Sequence, residues 1–196
     1  ISNNDIYLIF NQSVSRGVDK MFLYNLETKQ QAEISNQPAN HRGQGFDKDD
    51  KNYYYTTNFE GEFYYLMSYN IETGARSLVY KTEWDVVNSY LSKKDSYRVI
   101  TVNEDAQNKI IVNDSKDGSS LNFKGLDNLN INSVAFSDDE TLIRINAASS
   151  NSPGDIYVYS LLTDELKKIT SNLNSKVDPS DLVSGEVIRY KSFDGI

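Results

Sequence analysis

The chain has 196 residues, a net charge of −8 at pH 7, a pI near 4.7, 38% hydrophobic residues and no cysteine. That hydrophobic fraction is ample for a folded core, while the acidic balance argues against nucleic-acid binding, which needs clustered Lys and Arg. Without cysteine there is no disulfide, thiol nucleophile or thiolate metal site, and no run of about 18 apolar residues is present to span a bilayer.

The first ten residues lack the basic start and apolar core of a signal peptide. They read as entry into a strand, so residue 1 is not expected to be the natural start. Residues 5–11 form a first predicted strand, 14–20 a polar connection, 20–25 a strand with Phe22 and Tyr24 on one side and Met21 and Leu23 on the other, and 30–34 an outer strand. No inner strand precedes Asp5. A second, complete copy opens near His41-Arg42-Gly43-Gln44-Gly45-Phe46. It continues through a polar turn at 48–51, an aromatic strand at 52–57, a glycine turn at Glu60-Gly61, a strand at 62–69, a turn at Glu72-Thr73-Gly74 and a strand at 75–80.

The third copy runs from 84–90 through strands at 97–103 and 109–113, turns at Lys116-Asp117-Gly118 and ends near Phe123. Asp-Gly between two strand-like runs is a strong hairpin signal. The fourth begins at 131–136, turns at Ser137-Asp138-Asp139-Glu140 and continues with 141–147, 155–160 and 165–170. Each copy reads inner strand, acidic turn, strand, longer turn, strand, short turn, outer strand, with no long helix. Residues 171–185 are polar and hold Pro179, which reads as a linker with a helical turn at Pro179-Ser180-Asp181-Leu182; residues 186–195 open a fresh strand-like run, as if the chain were cut there.

Two landmarks set the period. Tyr24-Asn25-Leu26-Glu27-Thr28 returns 45 residues later as Tyr69-Asn70-Ile71-Glu72-Thr73 and a further 90 later as Tyr159-Ser160-Leu161-Leu162-Thr163. Asp49-Asp50, Lys94-Asp95 and Asp138-Asp139 recur at 45 and 44 residues. A strand meander repeating at roughly 40–50 residues is the mark of a β-propeller, whose blades bury their faces against neighbours. The predicted fold is therefore all-β, a β-propeller of four-stranded antiparallel blades with about four present, a partial or open propeller. The blades fall at 1–37, 38–81, 82–126 and 127–170, followed by a distinct segment at 171–196.

Few side chains suggest chemistry. His41 is the only histidine and has no patterned carboxylate or thiolate beside it, so a structural role outweighs metal binding or general base work. Asp47, Asp49 and Asp50 invite a calcium reading but miss the EF-hand spacing, and a turn is favoured. Tyr53, Tyr54, Tyr55, Tyr64, Tyr65 and Tyr69 could line a peptide wall, although alternation, with Tyr53 and Tyr55 on one face and Tyr54 on the other, favours packing between blades. Gly43-Gln44-Gly45 has no following helix to make a phosphate loop. Asn11-Gln12-Ser13 and Asn113-Asp114-Ser115 match a short glycosylation pattern that decides nothing.

The acidic propeller turns, the repeated Tyr-Asn-Leu/Ile-Glu-Thr ending, the Val102-Asn103-Glu104-Asp105 segment and the terminal Val187-Ile188-Arg189-Tyr190-Lys191-Ser192-Phe193-Asp194-Gly195 together resemble the prolyl oligopeptidase family of serine peptidases. The resemblance covers nearly the whole chain. It implies a propeller that precedes an α/β-hydrolase domain, with 171–196 as the linker and the start of that missing domain. The implied partners are that C-terminal domain and peptide substrates, and the implied role is non-catalytic gating, which admits short or unfolded peptides. The family's nucleophile elbow, Gly-x-Ser-x-Gly with a later Asp and His, has no counterpart: Gly118-Ser119-Ser120 reads as a hairpin turn, Ser184-Gly185 lies in the linker, and His41 precedes both. This chain alone is expected not to be an enzyme, and no catalytic, cofactor or metal residue is assigned; the full-length protein is expected to be a serine peptidase. The alternative is a free-standing propeller acting as a protein-binding scaffold, similar to the periplasmic propeller of the Tol system. Export of many bacterial relatives points to the periplasm or outside. A half-ring exposes two blade faces, so homo-oligomerisation through them, or closure into a small ring, is also expected.

Overall fold

The computed structural model describes all residues except Asn36, Asn128, Ser184, Lys191, Ser192 and 194–196, together with the side chain of Pro179. Among the described residues fourteen strands form four antiparallel sheets. The first holds β1 (Tyr7–Ser15), β2 (Val18–Asn25) and β3 (Gln31–Glu33); the second holds β4 (His41–Phe46), β5 (Asn52–Thr57), β6 (Tyr65–Asn70) and β7 (Arg76–Tyr80). The third holds β8 (Asp85–Leu91), β9 (Tyr97–Glu104) and β10 (Gln107–Asp114); the fourth holds β11 (Asn130–Phe136), β12 (Leu142–Ser149), β13 (Ser152–Ser160) and β14 (Glu165–Lys168). In every sheet the strands are neighbours in chain order, which is the meander of a propeller blade. Two compact units result: Ile1–Glu104 with Asn108–Asn122, and Asp105–Gln107 with Phe123–Ile196.

The 45-residue period is written in two turns. At residues 2–5, 47–50, 92–95 and 137–140 the fourth residue is an acid held at positive φ: Asp5 at 59°, Asp50 at 55°, Asp95 at 62° and Glu140 at 59°. Each turn closes by the same backbone bond, from the N–H of Ser2, Asp47, Ser92 or Ser137 to the carbonyl five residues on, at 2.8–3.0 Å. The first side chain caps the turn in each case; Ser2 Oγ accepts from Tyr7 N–H, Asp47 Oδ1 from Lys51 N–H, Ser92 Oγ from Tyr97 N–H and Ser137 Oγ from Leu142 N–H. The second turn begins at Asn25, Asn70, Asp114 and Ser160, and its fifth residue, Lys29, Gly74, Gly118 or Asp164, is again at positive φ. Asp and Gly, which tolerate the left-handed region, fill most of these positions, with Glu140 and Lys29 as the exceptions.

Within the first unit the acidic turns lock onto one another. Asp50, only 7% exposed, accepts Asn3 N–H and Asn3 Nδ2–H at 2.9 Å on Oδ1 and Asn4 N–H at 2.8 Å on Oδ2, while Asp95 Oδ2 accepts Lys48 N–H at 2.7 Å. Each carboxylate thus satisfies the turn one repeat earlier. Behind the turns lie two apolar seams. Met21, Leu23 and Ile34 pack with Tyr53, Tyr55 and Tyr69, and Leu66 packs with Val86, Ile100 and Val102, with Tyr54 against that second group. In the second unit the fourth sheet buries Val134, Ile143, Ile145, Tyr157 and Tyr159, with Phe123 edge-on to Tyr159 at 5.2 Å.

Four expectations are corrected. Residues 14–20 are not a polar connection: β1 and β2 continue through them around a tight turn at Arg16-Gly17, with Gly17 at φ 71°. The longer turn between second and third strands exists only in the second sheet, at residues 58–64; elsewhere it is two residues long, and at Asp105-Ala106 both residues sit at positive φ, 53° and 59°. The outer strand expected near Phe123 shrinks to one bridge, Asn113 with Ser120. Residues 186–190 form no strand, because no partner strand meets them; Gly185 N–H donates to Ser150 Oγ at 2.8 Å and Arg189 pairs with Asp105. The turn expected at Pro179 is present as one turn of 3-10 helix, Pro179–Asp181.

Two tests isolate these devices. Asp50→Asn replaces an acceptor oxygen by a donor amide and is expected to cost about 1–3 kcal/mol in denaturant unfolding, as for a charged hydrogen bond. Asp5→Asn has the same backbone angle but an exposed side chain, and is expected to stay within about 0.5 kcal/mol. A Cβ on Gly43 would lie 2.0 Å from the Tyr53 hydroxyl oxygen. Gly43→Ala is therefore expected to cost about 1–3 kcal/mol by overpacking, and Tyr53→Phe in the same chain to recover part of that loss in a double-mutant cycle.

Candidate functional site

The strand period turns Tyr54 of β5 away from Tyr53 and Tyr55 and towards β9, where Arg98 falls in phase with Ile100 and Val102. The Arg98 guanidinium lies 3.8 Å from the Tyr54 ring centre and donates from Nη1 to Ser89 Oγ at 3.2 Å. Arg98 is only 9% exposed, and burial lowers its pKa, opposed by the neighbouring Tyr54 and Asp95. Burial likewise raises Tyr54, and it raises the Asp95 carboxyl against the bond from Lys48 N–H. These residues line a cleft of about 500 Å³ that also receives Asp47, Asp114 and Val79. Three carboxylates and one guanidinium thus share the lining with apolar Ile100 and Val79, and both Asp47 oxygens and Asp95 Oδ2 already accept N–H groups of the turns.

The inner strands carry the second feature. Register shifts between Val86 and Asn88 and between Ile131 and Ser133 put a bulge at the same place of the repeat in β8 and β11, while in β4 the shift between Gly43 and Gly45 falls two residues later in the repeat, and bulges re-aim side chains. In β4 the bulge sends Gln44 across to the next sheet, where Oε1 accepts Ser89 N–H at 2.7 Å while Nε2 donates to Thr56 Oγ1 at 3.3 Å. Beside it the exposed Arg42 stacks 4.2 Å from the Tyr64 ring centre and donates from Nη2 to its hydroxyl at 3.2 Å. A guanidinium braced in this way presents its remaining donors for carboxylate recognition.

The residues singled out from sequence are dispersed. His41, 4% exposed, directs Nε2 to the Gln37 carbonyl at 3.1 Å and lies edge-on to Tyr55 at 6.1 Å. Tyr53, Tyr55 and Tyr69 are buried in the seam between the first two sheets, and burial pushes the Tyr53 and Tyr55 hydroxyls up to about 12. Tyr54 and Tyr64 stack with arginines, and Tyr65 donates to the Phe59 carbonyl at 2.8 Å beneath the Lys81 ammonium. Asp47 and Asp50 cap turns, and among the described residues no group of three or more His, Cys, Asp or Glu is placed to hold a metal. Gly43 takes the close approach of Tyr53. The Asn11 amide donates to Asp19 Oδ2 and the His41 carbonyl, and Asn113 Oδ1 accepts from Ser120. Arg98, Gln44 and Arg42 were missed. For Arg98 a signal existed, a lone cation in phase with buried apolar positions of a strand.

Residues 1–172 match the family model described as the prolyl oligopeptidase N-terminal beta-propeller domain. No curated protein sequence matches significantly. Among solved structures, prolyl oligopeptidase B from Galerina marginata bound to a 35mer hydrolysis and macrocyclization substrate superposes over 100% of this chain and 28% of its own at 16% identity, with a TM-score of 0.74. Its apo form gives 0.70. TolB from Acinetobacter baumannii, also 16% identical, covers 88% of this chain and 42% of its own with a TM-score of 0.58. The chain thus spans less than half the length of these structures. With the family model extending from the first residue through the fourth sheet, the chain belongs to the N-terminal β-propeller domain family of the prolyl oligopeptidases.

Proposed function

We propose that this chain is the non-catalytic, substrate-admitting propeller of a prolyl-oligopeptidase-like serine peptidase. The observation that carries the reading is the family match over residues 1–172, laid on four sheets of one repeat. In this role the blades 1–37, 38–81, 82–126 and 127–170 limit access to the reacting bond by size and keep water and folded proteins away from it. Residues 171–196 are the crossing to an α/β-hydrolase domain. Exposed apolar side chains support that assignment: Val183, Val187, Ile188, Tyr190 and Phe193 gather in this one segment, and such a concentration marks an interaction site. Prolyl oligopeptidase B was captured with peptides of 25 and 35 residues, and peptides of that class are the substrates proposed here. A second reading, a protein-binding scaffold, draws on the TolB superposition, which covers less of this chain at a lower TM-score.

The test uses the protein's complete reading frame. A fluorophosphonate is expected to label one serine beyond residue 196, and the unlabelled enzyme is expected to cleave unfolded peptides of about 25 residues while sparing folded proteins, an activity that the label abolishes. A full-length protein that takes no label, yet retains a partner protein on affinity capture, would move the assignment to the scaffold.

A further inference from the structure

We propose that the cavity beside His41 is a built site for an ordered water on the buried ring nitrogen, shared by the first two sheets. The His41 Nε2 lies 3.1 Å from the Gln37 carbonyl oxygen, which only accepts, so Nε2 carries the proton and Nδ1 presents a lone pair. Nδ1 is buried and has no hydrogen-bond partner among the described residues. The ring lines a cavity of about 50 Å³ together with Ser35, Thr57, Tyr65 and Arg76. A water needs about 10–15 Å³ of such space, so the cavity has room for water beside Nδ1.

The hydrogen-bond inventory of the lining selects the occupant. Ser35 Oγ accepts Met21 N–H at 2.9 Å and Thr57 Oγ1 accepts Phe59 N–H at 3.2 Å, and neither hydroxyl hydrogen has an acceptor among the described residues. Tyr65 and Arg76 are tied to backbone carbonyls. Tyr65 donates to the Phe59 carbonyl, and Arg76 donates from Nε to the Ile34 carbonyl, from Nη2 to the Glu33 carbonyl and from Nη1 to the Gly74 carbonyl. That leaves one unpaired acceptor, Nδ1, and the Ser35 and Thr57 hydroxyls as donors, with the Tyr55 hydroxyl and the Gln37 amide also in the lining. A water that donates to Nδ1 and accepts from both hydroxyls makes about three bonds, the usual number for a buried water. An anion would meet the Nδ1 lone pair, and an apolar group would leave all three unpaired. Ser35 follows β3, His41 opens β4 and Thr57 ends β5, so the water ties the outer end of the first sheet to two strands of the second.

His41 is the only histidine, so its ring nitrogens can be read by NMR without ambiguity. Long-range proton–nitrogen correlation on the 196-residue chain is expected to show the Nε2–H tautomer, with Nδ1 displaced towards the position of a hydrogen-bonded ring nitrogen. The carbon-bound proton next to Nδ1 is expected to give a cross-peak to a long-lived water. In Ser35→Ala/Thr57→Val that cross-peak is expected to disappear while the tautomer is kept. An Nδ1–H tautomer, or a wild-type ring with no water cross-peak, overturns the proposal, and because the wild-type spectra alone decide it, failure of the double variant to fold leaves the test intact.

Discussion

A carboxylate in the left-handed region governs much of this chain. Placed fourth in the turn between the first two strands of a blade, an acid does two jobs whose geometries must agree: its backbone reverses the strand direction, and its side chain reaches the exposed N–H groups of the turn one repeat earlier. Asp50 and Asp95 both do this in the first unit. Turn N–H groups at the end of a sheet would otherwise need water or a side chain. A neighbouring blade supplies the acceptor only when it stands at a fixed distance and rotation, so the bond couples turn shape to blade spacing. The repeat length follows, since a shift of one residue would move the acid out of the left-handed position.

The same coupling acts across the faces of the sheets. A blade has two faces to bury, and β5 uses successive tyrosines to do it, Tyr53 and Tyr55 towards the first sheet and Tyr54 towards the third. Tyrosine suits this place because a large ring fills the seam while the hydroxyl still finds a polar partner or the edge of the protein. Arginine completes the arrangement. Arg98 stacks on Tyr54, Arg42 on Tyr64 and Arg76 near Tyr69, and Arg76 also ties itself to carbonyls of the preceding sheet. In each pair the cation is held by a ring rather than by a carboxylate within 4 Å, which keeps the chain's acidic excess free for capping turns.

What was legible in the sequence was whatever depends on local backbone chemistry. The acidic turns and the Tyr-Asn-x-Glu-Thr ending could be read because positive φ restricts residue choice, and their spacing carried the fold. The hairpins at Arg16-Gly17 and Asp105-Ala106 were not legible: Ala106 is an unfavourable residue at φ 59°, held there by pairing on both sides and announced by nothing in its own chemistry. The missing outer strand of the third sheet and the unpaired run at 186–190 failed for the opposite reason. Both have strand-like composition, but a strand exists only when a partner meets it, and partnership is not local. The cleft at Arg98 needed contacts between residues 44 positions apart on different sheets, so only its in-phase charge was visible.

The fate of the chemically capable side chains bears on the role of the domain. Serine, aspartate and histidine are the groups from which hydrolytic sites are made, and several of them here are spent on architecture. Ser2, Ser92 and Ser137 close turns, Ser35 caps Met21, Asp47 and Asp50 satisfy backbone N–H groups, and His41 holds the Gln37 carbonyl from inside a seam. A group already bonded to the backbone on a rigid turn cannot swing to a substrate without breaking the turn. Two polar features left at the surface are of another kind, the braced guanidinium of Arg42 and the cleft beside Arg98. Such a surface fits the substrate-admitting role proposed for the domain, in which the chemistry is performed elsewhere.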